Sequence, residues 1–265
     1  MDKRHEKLGV KQTIQKYWMD RTVQMMLAGM SEKEIRAELD EFLKTQKQSG
    51  GTGQRGEKTY GMAIGILASW FVPDSDLVPF RDEALMFARS LSTEEWLPLH
   101  WIIISASYPF WFNVAKQVGR LFNLQDQITQ VQVFERIKEQ YGDRETVARN
   151  ARYTVRSFVA WGILKDAENK GCYEKSVPIS VADPDLAILM FESVLHATPE
   201  GKVALGSLLN NPAFFPFQLP LISGDYVSQC NDRLVYRFTK IDTLCGKIEV
   251  APSVDNWCSI HLCNA

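Results

Sequence analysis

The sequence is poor in the residues that enzymes and metal sites use most. It has four histidines and five cysteines in 265 residues, and no two cysteines have the Cys-x-x-Cys spacing of zinc and redox sites. The signatures HExxH, GxSxG and GxxxxGK[ST] are absent. His100, between Leu99 and Trp101, is interpreted as a hydrogen-bonded core side chain rather than a catalytic base. We therefore expect a protein that is not an enzyme and that holds no metal or other cofactor.

Long hydrophobic runs are also scarce, and only WLPLHWIIISASYPFWFNVA, residues 96–115, is long enough to suggest a membrane span. Pro98 and Pro109 would break or kink such a helix. Hydrocarbon would also have to accommodate four polar side chains, those of His100, Ser105, Ser107 and Asn113. We predict a buried helix from Leu99 to Ser107, a break at Tyr108, and a second helix that begins near Phe110. The sequence therefore predicts no membrane partner.

Excess charge of either sign is missing as well. The formal net charge is −2, so attraction to nucleic acid or anionic lipid must come from a local patch. The first 18 residues have no apolar segment typical of a secretory signal, and we expect a cytoplasmic protein with free thiols. Cys258, His261 and Cys263 lie close together, but their spacing fits no common zinc pattern. They are interpreted as part of a structural or disordered tail.

The first 112 residues predict an N-terminal helical region. Apolar residues recur at helical spacing in three segments, and a capping box at Ser31 and Glu34 begins a fourth helix. The three segments are Val10–Gly29, Tyr60–Phe71 and Pro79–Ser90. The Gly-rich segment 46–58 has neither a strand before it nor a GK[ST] sequence, so we interpret it as a flexible loop rather than a phosphate-binding loop.

Residues 113–180 predict a winged helix-turn-helix. Asn113–Leu124 forms its first helix, Thr129 caps the second, and Gly142-Asp143 separates that helix from a long one over Arg144–Trp161. Turn residues at 169–171 then join two short strands, the second of which covers Tyr173–Ile179. This hairpin is the expected wing.

The helix over 144–161 has two faces with different chemistry. Val147, Ala151, Val155 and Phe158 recur at helical spacing and predict a buried stripe. About half a turn away, a basic face opposed only by Glu145 is expected to point outward and to contact duplex DNA together with the wing lysines. The predicted DNA-binding residues are Arg144, Arg149, Asn150, Arg152, Tyr153, Arg156, Lys165, Lys170 and Lys175.

Other functions are compatible with the same pattern. The arginines could pair with neighbouring acids on a solvated helix face, as exposed charges commonly do. The winged helix could dock another protein, which would make the chain an adaptor or scaffold without affinity for DNA. A transcriptional regulator is a close variant of the DNA hypothesis, distinguished by a defined operator and usually by dimer symmetry. The sequence indicates neither the oligomeric state nor the preferred DNA sequence.

Residues 181–250 predict a C-terminal helical extension with a short β element. Asp183-Pro184 begins a helix over Leu186–Ala197, and Thr198-Pro199-Glu200 is expected to cap another that ends near Asn210. AFFPFQLPLIS, residues 213–223, is broken by two prolines and is expected to lie extended across the helices. Residues 233–239 alternate as a strand does, and residues 251–265 form an expected poorly ordered tail.

Two runs resemble a bacterial family. EEWLPLHWIIISASYPFWFNVAKQVGRLF and ITQVQVFERIKEQYGDRETVARNARYTVRSFVAWGIL resemble the BrxA-like family of BREX phage-defence proteins, in their LHW and YPF elements, the GDR turn into the arginine-bearing helix and the WGIL exit. The resemblance covers about residues 10–180. It implies a non-catalytic DNA-binding component that works with larger nucleases, methyltransferases or ATPases of the same system. BrxA-like chains are shorter, so the resemblance assigns no role to residues 200–265.

Overall fold

The structure, a computed structural model, describes residues 3–46, 57–230, 232–237 and 247–250. The protein is mainly helical, with short strands. Most of the predicted Gly-rich loop (47–56) and the predicted tail (251–265), with Cys258, His261 and Cys263, lie outside the described residues.

The described α-helices are α1 (Lys16–Leu27), α2 (Glu32–Lys44), α3 (Glu57–Phe71), α4 (Val78–Ser90), α5 (Leu97–Ser107), α6 (Pro109–Phe122), α7 (Gln130–Tyr141), α8 (Glu145–Ala160), α9 (Pro184–Ala197), α10 (Leu205–Leu209) and α11 (Gly224–Cys230). The described strands are β1 (Gln127–Thr129), β2 (Leu164–Asp166), β3 (Cys172–Lys175), β4 (Ile179–Ser180), β5 (Lys202–Ala204), β6 (Phe217–Gln218), β7 (Leu234–Arg237) and β8 (Lys247–Val250).

The uncharged stretch at residues 96–115 lies in the protein core. Every residue from Leu97 to Ala106 is buried. The chain breaks at Tyr108, which ends α5 and precedes Pro109 at the start of α6, so the two predicted core helices are confirmed. Among the described residues, no helix is both long enough and apolar enough to cross a bilayer.

The N-terminal helices follow local signals, with one exception. The capping box at Ser31 and Glu34 is present at the start of α2. However, α1 begins at Lys16 instead of the predicted Val10, because Ile14 uses its main chain to bind α8. The Ile14 amide donates to Ser157 Oγ at 2.9 Å, and its carbonyl accepts from Trp161 Nε1 at 3.0 Å. These two hydrogen bonds attach the segment before α1 to the C-terminal end of α8 and to the residue that follows it.

Between Pro109 and Lys175 the elements follow the order α6, β1, α7, α8, β2, β3. The three strands form an antiparallel sheet in the order β1-β3-β2. The predicted boundary between residues 112 and 113 falls inside α6, which starts four residues before the predicted Asn113. The second wing strand is shorter than predicted. The observed strand, β3, ends at Lys175, and Ile179–Ser180 forms a separate strand that pairs in parallel with β6.

The C-terminal region differs from its prediction in two places. The helix expected between Thr198 and Asn210 is present only in its last part: the chain first forms β5, which joins the sheet β5-β8-β7, and α10 has five residues and ends beside Asn210. The segment expected to lie extended across the helices does pack on α6, but it begins in a 3-10 helix, Pro212–Phe214. Gly119 of α6 touches it so closely that a Cβ there would lie 1.8 Å from the carbonyl oxygen of Pro212.

One core joins the predicted regions. Buried apolar side chains from Val10 to Ile248 form a single cluster. Its centre is aromatic: the ring of Trp101 on α5 lies 5.0 Å from that of Phe158 on α8 and 5.7 Å from that of Phe217 on β6. The helix with the basic face is therefore supported by side chains that precede it and side chains that follow it in the sequence.

Candidate nucleic-acid interface

Helix α8 has the buried stripe that its sequence predicts. Val147, Ala151, Val155 and Phe158 are all fully buried, and α8 packs on α6, α7 and β2. Side chains on the opposite side of an amphipathic helix must then meet solvent. The arrangement fixes which arginines α8 can offer to a partner.

Three of the predicted DNA-binding arginines are exposed, namely Arg144, Arg149 and Arg152. Arg144 is the residue before the first turn of α8, and its Nη2 donates to the carbonyl oxygen of Tyr141 at 3.1 Å. The guanidinium of Arg152 lies 5.9 Å from the ring centroid of Phe134 on α7. Arg149, one turn into the helix, has no hydrogen bond or ion pair with any residue that the structure describes. These three cations form the exposed basic face of α8.

Two predicted contact residues of α8 do not belong to this face. Asn150 was expected to point outward, but it is only 6% exposed, so the prediction that its amide reads base edges is wrong. The reason is geometric: position 150 follows Val147 by three residues, and the buried side of α8 is wide enough to include it. Tyr153 is half-buried and packs against the core, which leaves only part of its side chain for a ligand.

Arg156 is not a free cation. Its side chain is 41% exposed, and its Nη1 forms an ion pair with Asp166 Oδ1 at the end of β2. Burial lowers the pKa of Arg156, but the hydrogen bond and the charge of Asp166 outweigh it, so that the pKa is raised. Arg156 thus reaches the surface, as its helical spacing predicts, but it is paired with an acid as in the alternative interpretation, and it connects α8 to the hairpin.

The predicted wing carries its lysines on the surface, together with an equal number of acids. Lys165, Lys170 and Lys175 are all exposed, and so are the three wing acids Asp166, Glu168 and Glu174. Lys165 lies directly opposite Glu174 in the β2–β3 register, where opposite charges attract. The hairpin thus contributes no net positive charge. Residues 113–180 as a whole contain eleven Lys and Arg and eight Asp and Glu, a net charge of +3 in a chain of net charge −2.

Glutamine side chains hold α7 and the sheet together beside the basic face. Thr129 Oγ1 accepts from the Gln132 amide at 3.1 Å, and Gln132 Oε1 accepts from the Thr129 amide at 2.8 Å. This is the predicted cap of α7. Gln132 Oε1 also accepts from Gln125 Nε2 at 3.0 Å, and the Tyr173 hydroxyl donates to Gln130 Oε1 at 3.2 Å. The N-terminus of α7 is consequently fixed to β1 and β3.

His100 is a core residue, as its sequence context predicts. It is fully buried; Trp70 Nε1 donates to its Nδ1 at 3.1 Å, and its Nε2 lies 2.8 Å from Asp20 Oδ1. Since Nδ1 accepts, Nε2 carries the proton and donates to Asp20. Burial lowers the pKa of His100, against the opposing effect of Asp20. The imidazole is therefore neutral and structural at neutral pH.

Sequence reasoning missed a charged cluster between α4 and α9. Arg233 forms ion pairs with Glu83 and with the buried Glu192, whose Oε2 it meets at 2.8 Å. Glu83 and Arg233 are 150 positions apart, so no local pattern could have joined them. The cluster borders a cavity of about 550 Å³ lined by Phe87, Ile188 and neighbouring residues. Within the described parts of the chain, no group of three His, Cys, Asp or Glu residues could hold a metal ion.

Comparisons with protein-family models, with curated proteins and with solved structures found no match for this chain.

Proposed function

We propose that this protein binds duplex DNA, without catalysing a reaction on it, through a winged helix-turn-helix formed by residues 109–175. The observation that carries the proposal is the antiparallel sheet β1-β3-β2 next to α7 and α8, with Arg144, Arg149 and Arg152 exposed on the second of these helices. In helix-turn-helix proteins the second helix enters the major groove, and the first crosses the backbone. In this proposal α7 is the first of these helices and α8 is the second.

Charge placement supports the proposal. Residues 113–180 have a net charge of +3 while the whole chain has −2, so this region can attract phosphates although the chain as a whole does not. Arginine binds phosphate and the guanine edge bidentately, whereas the amide that could have read adenine, on Asn150, is buried. We expect phosphate contacts to dominate and sequence preference to be weak.

The proposal extends to a cytoplasmic component of a bacterial phage-defence system of BREX type, which acts beside other proteins of that system. The support for this part is the resemblance of residues 10–180 to the BrxA-like family. In such a system a non-catalytic DNA-binding chain would supply attachment to the duplex, and its partners would supply the chemistry.

A salt titration tests DNA binding. Fluorescence anisotropy of two unrelated labelled duplexes of about 20 base pairs, two helical turns, should give similar affinities. The logarithm of the affinity should fall linearly with the logarithm of salt concentration, with a slope of about −0.9 for each phosphate contacted. No binding at low salt would contradict the proposal, and strong preference for one operator would favour a transcriptional regulator.

A protein-docking adaptor is the second candidate function. It is favoured by the wing, where Asp166, Glu168 and Glu174 balance the three lysines, because a charge-balanced hairpin suits a protein surface better than a phosphate backbone. Binding to neither duplex, together with capture of a purified protein encoded beside this chain, would establish the adaptor in place of the DNA-binding protein.

A further inference from the structure

The ion pair between Arg156 and Asp166 joins two elements that the proposed DNA complex would need to hold in a fixed relation. Arg156 lies near the C-terminal end of α8. Asp166 is the last residue of β2 before the hairpin tip, whose exposed residues include Lys170. A contact between these two side chains therefore sets where the tip stands relative to the exposed arginines.

The hairpin geometry directs Asp166 towards α8. Residues directly opposite in an antiparallel pair point to the same face, and successive residues alternate between faces. Asp166 is opposite Tyr173, which is almost fully buried, whereas its neighbour Lys165 is opposite the exposed Glu174. Asp166 thus lies on the inner face of the wing, and Lys165 lies on the outer face.

Tyr173 connects the same junction to α7. Its hydroxyl donates to Gln130 Oε1 at the first residue of α7. Burial raises the pKa of Tyr173, and the guanidinium of Arg156 opposes this rise, as a cation close to the phenol must. Arg156 therefore stands where α8, β2 and β3 meet, on the inner side of the wing.

We propose that Arg156 is a positioning residue: through Asp166 it holds the wing tip against α8, so that Lys170 and the exposed arginines Arg149 and Arg152 reach one duplex together. The inference rests on the proposed binding of duplex DNA. It assigns Arg156 an indirect role in place of the direct DNA contact that the sequence predicts.

Removal of the Asp166 carboxylate distinguishes a direct phosphate contact by Arg156 from a positioning role, because the two roles predict opposite changes in duplex affinity. If Arg156 contacted phosphate directly, Asp166→Asn would release it and remove a repulsive charge, and binding would tighten. If Arg156 positions the wing, the same substitution should weaken duplex binding about threefold to fivefold, the scale of one partly exposed ion pair. The affinity is measured by fluorescence anisotropy at fixed salt with the full chain.

Two further variants control for charge. Glu168→Gln changes the net charge by the same amount at an exposed wing residue that has no ion pair among the described residues, and it should bind as tightly as the parent or more tightly. The exchanged pair Arg156→Asp with Asp166→Arg keeps the net charge and can re-form the contact. It should recover affinity to within about twofold of the parent, a difference below half a kcal/mol.

Amide hydrogen exchange supplies a measurement that needs no DNA. The Ala167 amide donates to the Cys172 carbonyl at the base of the tip, at 3.0 Å. It should exchange faster in Asp166→Asn than in the parent or in Glu168→Gln. Unchanged exchange at Ala167, or tighter DNA binding by Asp166→Asn than by Glu168→Gln, would overturn the positioning role. If the parent bound no duplex while exchange still rose, the contact would be real, but the proposed function and its positioning role would both fail.

Discussion

Gly119 shows how a single residue ties the C-terminal region to the centre of the protein. Its Cα lies so near the chain at Pro212 that a methyl group there would overlap the Pro212 carbonyl. Neither partner can yield easily, because one is helix backbone and the other is the main chain of a short 3-10 helix that packs on α6. The close approach therefore requires glycine.

We predict that Gly119→Ala lowers the free energy of unfolding by about 1 to 3 kcal/mol, the usual range for overpacking. Urea denaturation gives this value directly. Gly65→Ala is the matched control: Gly65 also lies within a helix, a Cβ there would meet nothing within 4 Å, and alanine is the better helix former. This control should be as stable as the parent or more stable. Equal stability of Gly119→Ala and the parent would show that the two segments are not in contact.

The burial of His100 should make the stability of the protein depend on pH. Burial lowers the pKa of His100 below its ordinary value of 6.5, so as the pH falls through about 6.5 the unfolded chain takes up a proton before the folded chain does. The free energy of unfolding should therefore decrease from pH 7.5 to pH 5.5. His100→Gln keeps a donor for Asp20 but cannot titrate, so its urea denaturation should depend less on pH. Equal pH dependence in both proteins would contradict a neutral, buried His100.

At the scale of elements, the capping box at the start of α7 should make a measurable contribution to stability. Thr129→Ala removes the oxygen that accepts from the Gln132 amide and leaves a helix N-terminus without its side-chain cap. We expect a loss of about 1 kcal/mol in the free energy of unfolding. Thr129→Ser keeps the hydroxyl and should stay close to the parent. Thermal denaturation of the three proteins checks this, and an unchanged Thr129→Ala would mean that the cap contributes nothing.

The elements that the sequence predicts well are those that local chemistry determines. The caps at Ser31, Thr129 and Asp183 and the break before Pro109 need only neighbouring residues, and all four are present. The strand that replaces the first part of the helix expected after Thr198 depends instead on pairing with β8, more than forty residues away. Pairing over such a distance leaves no periodic signal in the short strand itself.

The candidate site shows the same division. Helical spacing predicts the buried stripe of α8 and the exposure of Arg144, Arg149 and Arg152. It fails for Asn150, because periodicity gives the direction of a buried face better than its width. It does not reveal the ion pair between Arg156 and Asp166, which depends on how the hairpin folds back beside α8. Both features depend on tertiary packing, which helical spacing alone does not describe.

At the scale of the whole molecule, one core supports the helix that carries the exposed arginines. The aromatic cluster around Trp101 and Phe158 joins α5, α8 and β6. A change on the exposed side of α8 can therefore alter the surface potential without opening the core. This separation allows the proposed function to be tested independently of folding.

We predict that Arg149→Glu with Arg152→Glu abolishes detectable duplex binding at moderate salt, while the melting temperature stays near that of the parent. Both side chains are exposed, so the core is untouched, and attraction for phosphates becomes repulsion. Lys33→Glu with Arg89→Glu is the matched control, since it changes the net charge equally at exposed positions on α2 and α4. Fluorescence anisotropy should show the control binding within a few-fold of the parent, because screening limits the effect of distant charges. If the control lost binding as completely as the arginine variant, the attraction would belong to the whole surface and not to α8; if neither variant differed from a parent that binds, the contact would lie elsewhere on the protein.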